Sequence, residues 1–170
     1  MPVLYSDLIT NQIANPPVRN NVNRDGARVR RKVAQYETGG TQSNSDIILF
    51  FRVRSSDVIH SLLLSNDALT GATDVNFGLM DLEGNQINGA NNQFDDAQTL
   101  AVALTRQEKR VKTAAGADSA LGVETLGQTV WQNAGLTEDP VADYYVAATL
   151  IAAGSASGTI VLEMDYTAGD

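Results

Sequence analysis

The sequence predicts an all-β fold: an antiparallel β-sandwich of jelly-roll type, with one inserted short helix and an extended N-terminal arm. Three observations predict it. Five or more β-rich runs are separated by turn-forming residues. In the last of them Ile160, Leu162, Met164 and Tyr166 alternate with Glu163 and Asp165, the period of a strand with one buried and one wet face. The strand–helix alternation that builds doubly wound parallel sheets is missing. At 170 residues the chain is one domain with an arm, divided as 1–27 (arm) and 28–170 (sandwich).

Residues 1–27 carry turn chemistry in Pro16-Pro17, Asn20-Asn21 and Asp25-Gly26, and a short helix fits Ser6–Ile13 with Ser6 as its cap. Val3, Leu4, Tyr5, Leu8, Ile9 and Ile13 are too apolar for a solvated tail, so the arm is expected to pack on this domain or a neighbouring copy. Arg28–Tyr36 reads as a strand with Val29 and Val33 on one face and Arg28, Arg30 and Lys32 on the other. That basic row is either a solvated edge, where charge discourages unwanted pairing, or a stripe for a partner.

Asp46–Arg54 is apolar on both faces through Ile-Ile-Leu-Phe-Phe, which predicts a central strand. Val58–Leu64 is the next strand and carries His60, read as a structural residue because no acid or nucleophile is spaced to use it. Asp74–Leu82 follows, then a tight turn at Glu83-Gly84-Asn85 and a polar loop over Asn88–Asp96. Asp81-x-Glu83-x-Asn85 has the opening of a calcium loop, but Gln86 and Asn92 stand where that motif needs Gly and Glu, so turn chemistry accounts for it.

Thr99–Leu104 fits a helix or a strand, and Thr105–Asp118 a surface loop. Ser119–Leu136 has helical spacing in Val123, Leu126, Val130 and Ala134, with Gly135 to close it. Asp143–Tyr166 predicts a C-terminal antiparallel hairpin around the small residues 152–158.

Composition excludes several classes of chemistry. With no cysteine there is no disulfide, thiolate metal site or cysteine nucleophile. A single histidine excludes histidine ligand clusters. No phosphate loop and no nucleophile elbow occurs, and the adjacent acids Asp95-Asp96 and Glu138-Asp139 sit in polar loops. No apolar run approaches the roughly 20 residues that span a bilayer, and the N-terminus lacks the form of a signal peptide. The expected protein is therefore not an enzyme, needs no metal or cofactor, and does not act at a membrane.

The net charge of −8 is uneven: residues 1–36 have six basic against two acidic residues, and the remainder six against eighteen. A basic leader on an acidic body suits docking on an acidic surface, while the body itself would be repelled by nucleic acid. No aromatics interleave the basic residues to stack bases.

Several segments together resemble one family. They are Val33–Thr38 with Asp46–Val53, then Ser61–Leu69 with Asp74–Asp81, then Val130-Trp131, Gly135–Pro140, Tyr145–Leu150 and Gly158–Tyr166. In this order they are similar to the capsid decoration, or cement, proteins of tailed bacteriophages, over roughly residues 30–168. The resemblance implies a virion protein on the capsid exterior, made in the host cytoplasm, that forms a homo-oligomer (dimer or trimer) and clamps neighbouring major capsid protein subunits. It brings no catalytic residues. The candidate partner-binding residues are Leu4, Leu8, Ile9, Pro16, Pro17 and Arg19 of the arm, with Arg28, Arg30 and Lys32 of the first strand. A second expectation is a carbohydrate-binding jelly roll used in host attachment, with Asn85–Asp96 and an exposed Tyr144 lining the sugar site.

Overall fold

The computed structural model describes residues 14–19, 28–40, 42–69, 74–110, 125–152, 154 and 156–169. Among the described residues, eight strands form two antiparallel four-stranded sheets, with one four-residue helix. The strands are β1 (Val29–Gly39), β2 (Ile47–Arg54), β3 (Val58–Asn66), β4 (Asp74–Met80), β5 (Asp95–Thr99), β6 (Leu104–Glu108), β7 (Asp143–Ala152) and β8 (Ser157–Thr167). One sheet has the order β1-β8-β3-β6 and the other β2-β7-β4-β5. The inward residues of both meet in one apolar core. Leu62, Leu64, Ile160, Leu162 and Met164 come from the first sheet, and Val53, Phe77, Leu79, Val146 and Leu150 from the second. The all-β sandwich is as the strand patterns predict.

The C-terminal hairpin is not formed. β7 lies between β2 and β4, while β8 lies between β1 and β3 in the opposite sheet. Each strand has both hydrogen-bonding edges occupied, so their apolar faces meet across the core instead of their backbones meeting side by side. Period-two alternation reports which face is buried, not which sheet the strand joins. The face assignment itself holds, since Ile160, Leu162 and Met164 are fully buried.

β2 lies at the end of its sheet among the described strands, not at the centre. A bulge between Leu49 and Phe51 breaks the alternation. Ile48, Phe51 and Val53 are buried and Phe50 packs partly against the core, while Ile47 and Leu49 stay exposed on the outer face. A bulged strand therefore imitates a strand buried on both faces.

Two strands escape the sequence patterns. β5 replaces part of the expected loop at 88–96 and the segment from Thr99, and β6 occupies the start of the expected loop at 105–118. Both are outermost in their sheets among the described strands. An outer strand with one neighbour needs few apolar side chains, so Asp-Asp-Ala-Gln-Thr and Leu-Thr-Arg-Gln-Glu carry almost no alternation.

The predicted helix shrinks to α1 (Val130–Asn133), with residues 119–124 of that expectation outside the described set. Gly127 has φ +85°, which no helix interior adopts. The start of α1 is fixed by Val130 N–H donating to the Asp57 carbonyl at 2.8 Å and by Gln132 Oε1 accepting from Thr129 N–H at 2.9 Å. Its end follows the expectation: Gly135 has φ +72° and donates to the Gln132 carbonyl, and Leu136 donates to that of Trp131.

Candidate binding surfaces

The predicted partner-binding residues divide. Leu4, Leu8 and Ile9, and the helix expected over 6–13, lie outside the described residues. Pro16, Pro17 and Arg19 are described and exposed, as are Arg28 and Arg30 at the start of β1. Lys32 is different. Its register points inward, where Nζ donates to the Arg52 carbonyl at 2.6 Å and lies 4.7 Å from the centroid of the Tyr166 ring. The apolar side chains of β1 are the ones turned out: Val29 and Val33 are 57% and 60% exposed, while Ala34 and Tyr36 pack against the core. The basic row is therefore not a free stripe along one face.

The outer face of the first sheet holds an ordered charge network that sequence reasoning passed over. Arg31 grips Asp165 with two parallel hydrogen bonds, Nε to Oδ1 at 2.7 Å and Nη2 to Oδ2 at 2.8 Å. Ser61 Oγ donates to the same carboxylate at 3.2 Å. These three residues form one cross-strand row, since Asp165 sits opposite Arg31 on β1 and opposite Ser61 on β3. Arg106 Nη1 reaches both oxygens of Glu163 at 2.6 and 2.7 Å. The Arg31 hydrogen bond holds the Asp165 carboxyl below its ordinary range, against the opposing effect of partial burial. Alternation in β8 already placed Glu163 and Asp165 outward. Their partners depend on strand register, which the sequence does not display.

His60 packs within the body of the first sheet. It sits at a bulge in β3, with Nε2 3.2 Å from Thr167 Oγ1, and burial followed by the field of Arg110 lowers its basicity. Asp81 organises the next turn: Oδ1 accepts from the N–H groups of Glu83 and Asn85 at 2.8 Å each, and Oδ2 from Asn85 Nδ2 at 2.9 Å. These bonds, led by that of the Asn85 side chain, hold the Asp81 carboxyl below its usual range. The calcium-loop resemblance is thus ordinary turn chemistry.

The outer face of the second sheet carries a groove. Residues 81–94 fold back over β4 and are pinned there by Gln93. Its Oε1 accepts from Leu79 N–H at 2.9 Å, and its Nε2 donates to the Ala90 carbonyl at 3.1 Å. Gly78 permits this approach, because a Cβ there would lie 2.3 Å from Gln93 Oε1 and 2.4 Å from the Asn91 carbonyl. Beside the covering loop remains a space of about 580 Å³. Asn85, Gln86 and Asn91 line its loop side, and Ile47, Thr149 and Ile151 its sheet side. Tyr144, expected in a sugar site, is absent from this lining; it is 6% exposed and belongs to the core.

Two solved structures contain chains with this fold. One is the cyanophage Pam1 capsid asymmetric unit, where a chain is 21% identical over 99% of both chains, with a TM-score of 0.50. The other is the capsid of Ralstonia phage GP4, with 18% identity over 86% of this chain and 88% of that one, and a TM-score of 0.56. At these identities the likeness establishes a shared fold. No protein-family model and no curated protein sequence matches the chain. No helix among the described residues is long and apolar enough to cross a membrane.

Proposed function

We propose that the chain is a structural virion protein of a phage, bound to the outer surface of the capsid and stabilising it by clamping neighbouring major capsid protein subunits. The observation that carries this reading is the fold likeness over 99% of both chains to a component of the Pam1 capsid asymmetric unit. The likeness to a chain of the GP4 capsid supports it separately. A protein that works by holding others needs a rigid scaffold and broad surfaces, and the two sheets supply both. We read the fold as a jelly roll. Eight strands ordered β1-β8-β3-β6 over β2-β7-β4-β5, with sequence neighbours mostly in opposite sheets, support that assignment.

On this reading the protein is not an enzyme and acts as a homo-oligomer, with closed symmetry expected. The basic segment ahead of the sandwich attaches to a neighbour, and several modest contacts per oligomer add up to tight attachment. The test is co-sedimentation of the purified chain with mature capsids of the same phage, with and without residues 2–26. Saturable binding and a raised capsid melting temperature are expected for the full chain. Removal of residues 2–26 should weaken both. No association of the full chain with its capsid would refute the function, and full activity of the shortened chain would refute the role of the arm.

A further inference from the structure

We propose that the groove on the outer face of the second sheet is a binding site for a neutral saccharide. Its lining is uncharged: amides from Asn85, Gln86 and Asn91, hydroxyls from Ser45 and Thr149, and aliphatic walls from Ile47 and Ile151. A chain of net charge −8 keeps the groove free of ionised side chains, which disfavours phosphate, sulfate or carboxylate ligands and suits a neutral one. Amides and hydroxyls both donate and accept, as sugar hydroxyls do. The volume of about 580 Å³ is in the range of small-ligand sites.

The decisive atom is Thr149 Oγ1. Thr149 is 7% exposed, and its hydroxyl is buried without a hydrogen-bond partner. A buried hydroxyl left unpaired costs stability, about 1–3 kcal/mol in typical cases, so a ligand that supplied its missing hydrogen bond from the groove would be favoured. Strand register fixes its place: Thr149 lies between Ile47 on β2 and Asn76 on β4. Asn76 is turned to other partners, donating to Asn91 Oδ1 at 3.1 Å and accepting from Ala97 N–H at 2.8 Å. That bond also fixes the Asn91 amide at the groove wall. Exposed Ile47 and Ile151, each 40% exposed, offer a surface for the C–H face of a sugar ring. The site is independent of capsid attachment, so either idea can fail alone.

The test is a panel of neutral and sulfated oligosaccharides, read by array and then by isotope-edited NMR of the full-length protein. Neutral sugars should bind and shift the amide resonances of Asn85, Gln86, Asn91 and Thr149. Thr149→Val keeps the shape of the side chain and removes the unpaired hydroxyl. It should weaken binding roughly five- to tenfold while leaving the melting temperature equal or higher. Gln86→Ala, at an exposed position, gives a second reading should Thr149→Val misfold. No neutral sugar bound at millimolar concentration overturns the proposal. So does preference for the sulfated sugars, or binding that both variants retain unchanged.

Discussion

Two lysines close the long sides of the sandwich, one at each open edge. On one side Lys32 of β1 donates to the Arg52 carbonyl of β2, joining the two sheets. On the other, Lys109, which follows β6, pairs with Asp95 of β5 at 3.1 Å and also bonds the Gln98 side chain. Lys109 and Asp95 are both buried, so neither can fall back on water when its partner is removed. Asp95→Ala should cost on the order of 3–5 kcal/mol, because it leaves an uncompensated buried ammonium. Asp95→Ala combined with Lys109→Met should recover most of that loss. Urea denaturation of the two variants checks this, and equal destabilisation of both would show that the pair contributes in some other way.

The Arg31–Asp165 pair on the exposed face behaves differently, through its response to pH. Asp165 has a lower carboxyl pKa folded than unfolded, so the folded state binds its proton less readily. Its contribution is present above the unfolded carboxylate value of about 3.9 and is lost as pH falls through the folded value. Asp165→Asn should therefore be less stable than the parent at pH 7, with the gap narrowing as pH falls below the unfolded value and through the folded one. A gap that persists unchanged at pH 2 would mean that ionisation of Asp165 is not its source.

At the scale of elements, the turn-back of residues 81–94 over β4 depends on the missing side chain at Gly78. Gly78→Ala forces a methyl against the Asn91 backbone, which cannot rotate away as a side-chain tip could. The expected cost is about 1–3 kcal/mol, with loss of the Gln93 anchor and opening of the groove, seen as faster hydrogen exchange at Leu79 N–H. Exchange protection equal to the parent would show that the loop accommodates the methyl.

The same scale shows what the sequence displayed. β8 was legible because four apolar residues alternate with two acids between two neighbouring strands. β5 and β6 were not, because an outer strand with one neighbour asks little of its side chains. β2 was legible as a strand but not in its place, since its bulge puts Phe50 and Phe51 in succession. The loop side of the groove was visible as an Asn-rich stretch. Thr149, Ile47 and Ile151 were not, because only strand register sets them beside it.

For the whole molecule, the central question is whether function resides in a local site or in the integrity of the two-sheet body. Leu162 separates these. It is fully buried in the core cluster, on a strand flanked by β1 and β3, opposite Ala34 on one side and Leu64 on the other. Both sheets contribute to that cluster, so a charge there is felt by the entire sandwich. An aspartate at this position loses the leucine's burial and sets a carboxylate among the apolar side chains of the core cluster. The cost, on the order of 4 kcal/mol or more, is a large part of the 5–15 kcal/mol that typically holds a domain together. Leu162→Asp should give a chain without a cooperative thermal transition, and capsid association should vanish along with the fold. The neighbouring Glu163→Gln, on the outer face, should keep both the transition and the association. The measurements are the thermal melt followed by circular dichroism and the capsid co-sedimentation, made on the same preparations. A Leu162→Asp chain that melts cooperatively near the parent temperature yet fails to bind capsids would place the function in a local site and overturn the scaffold reading.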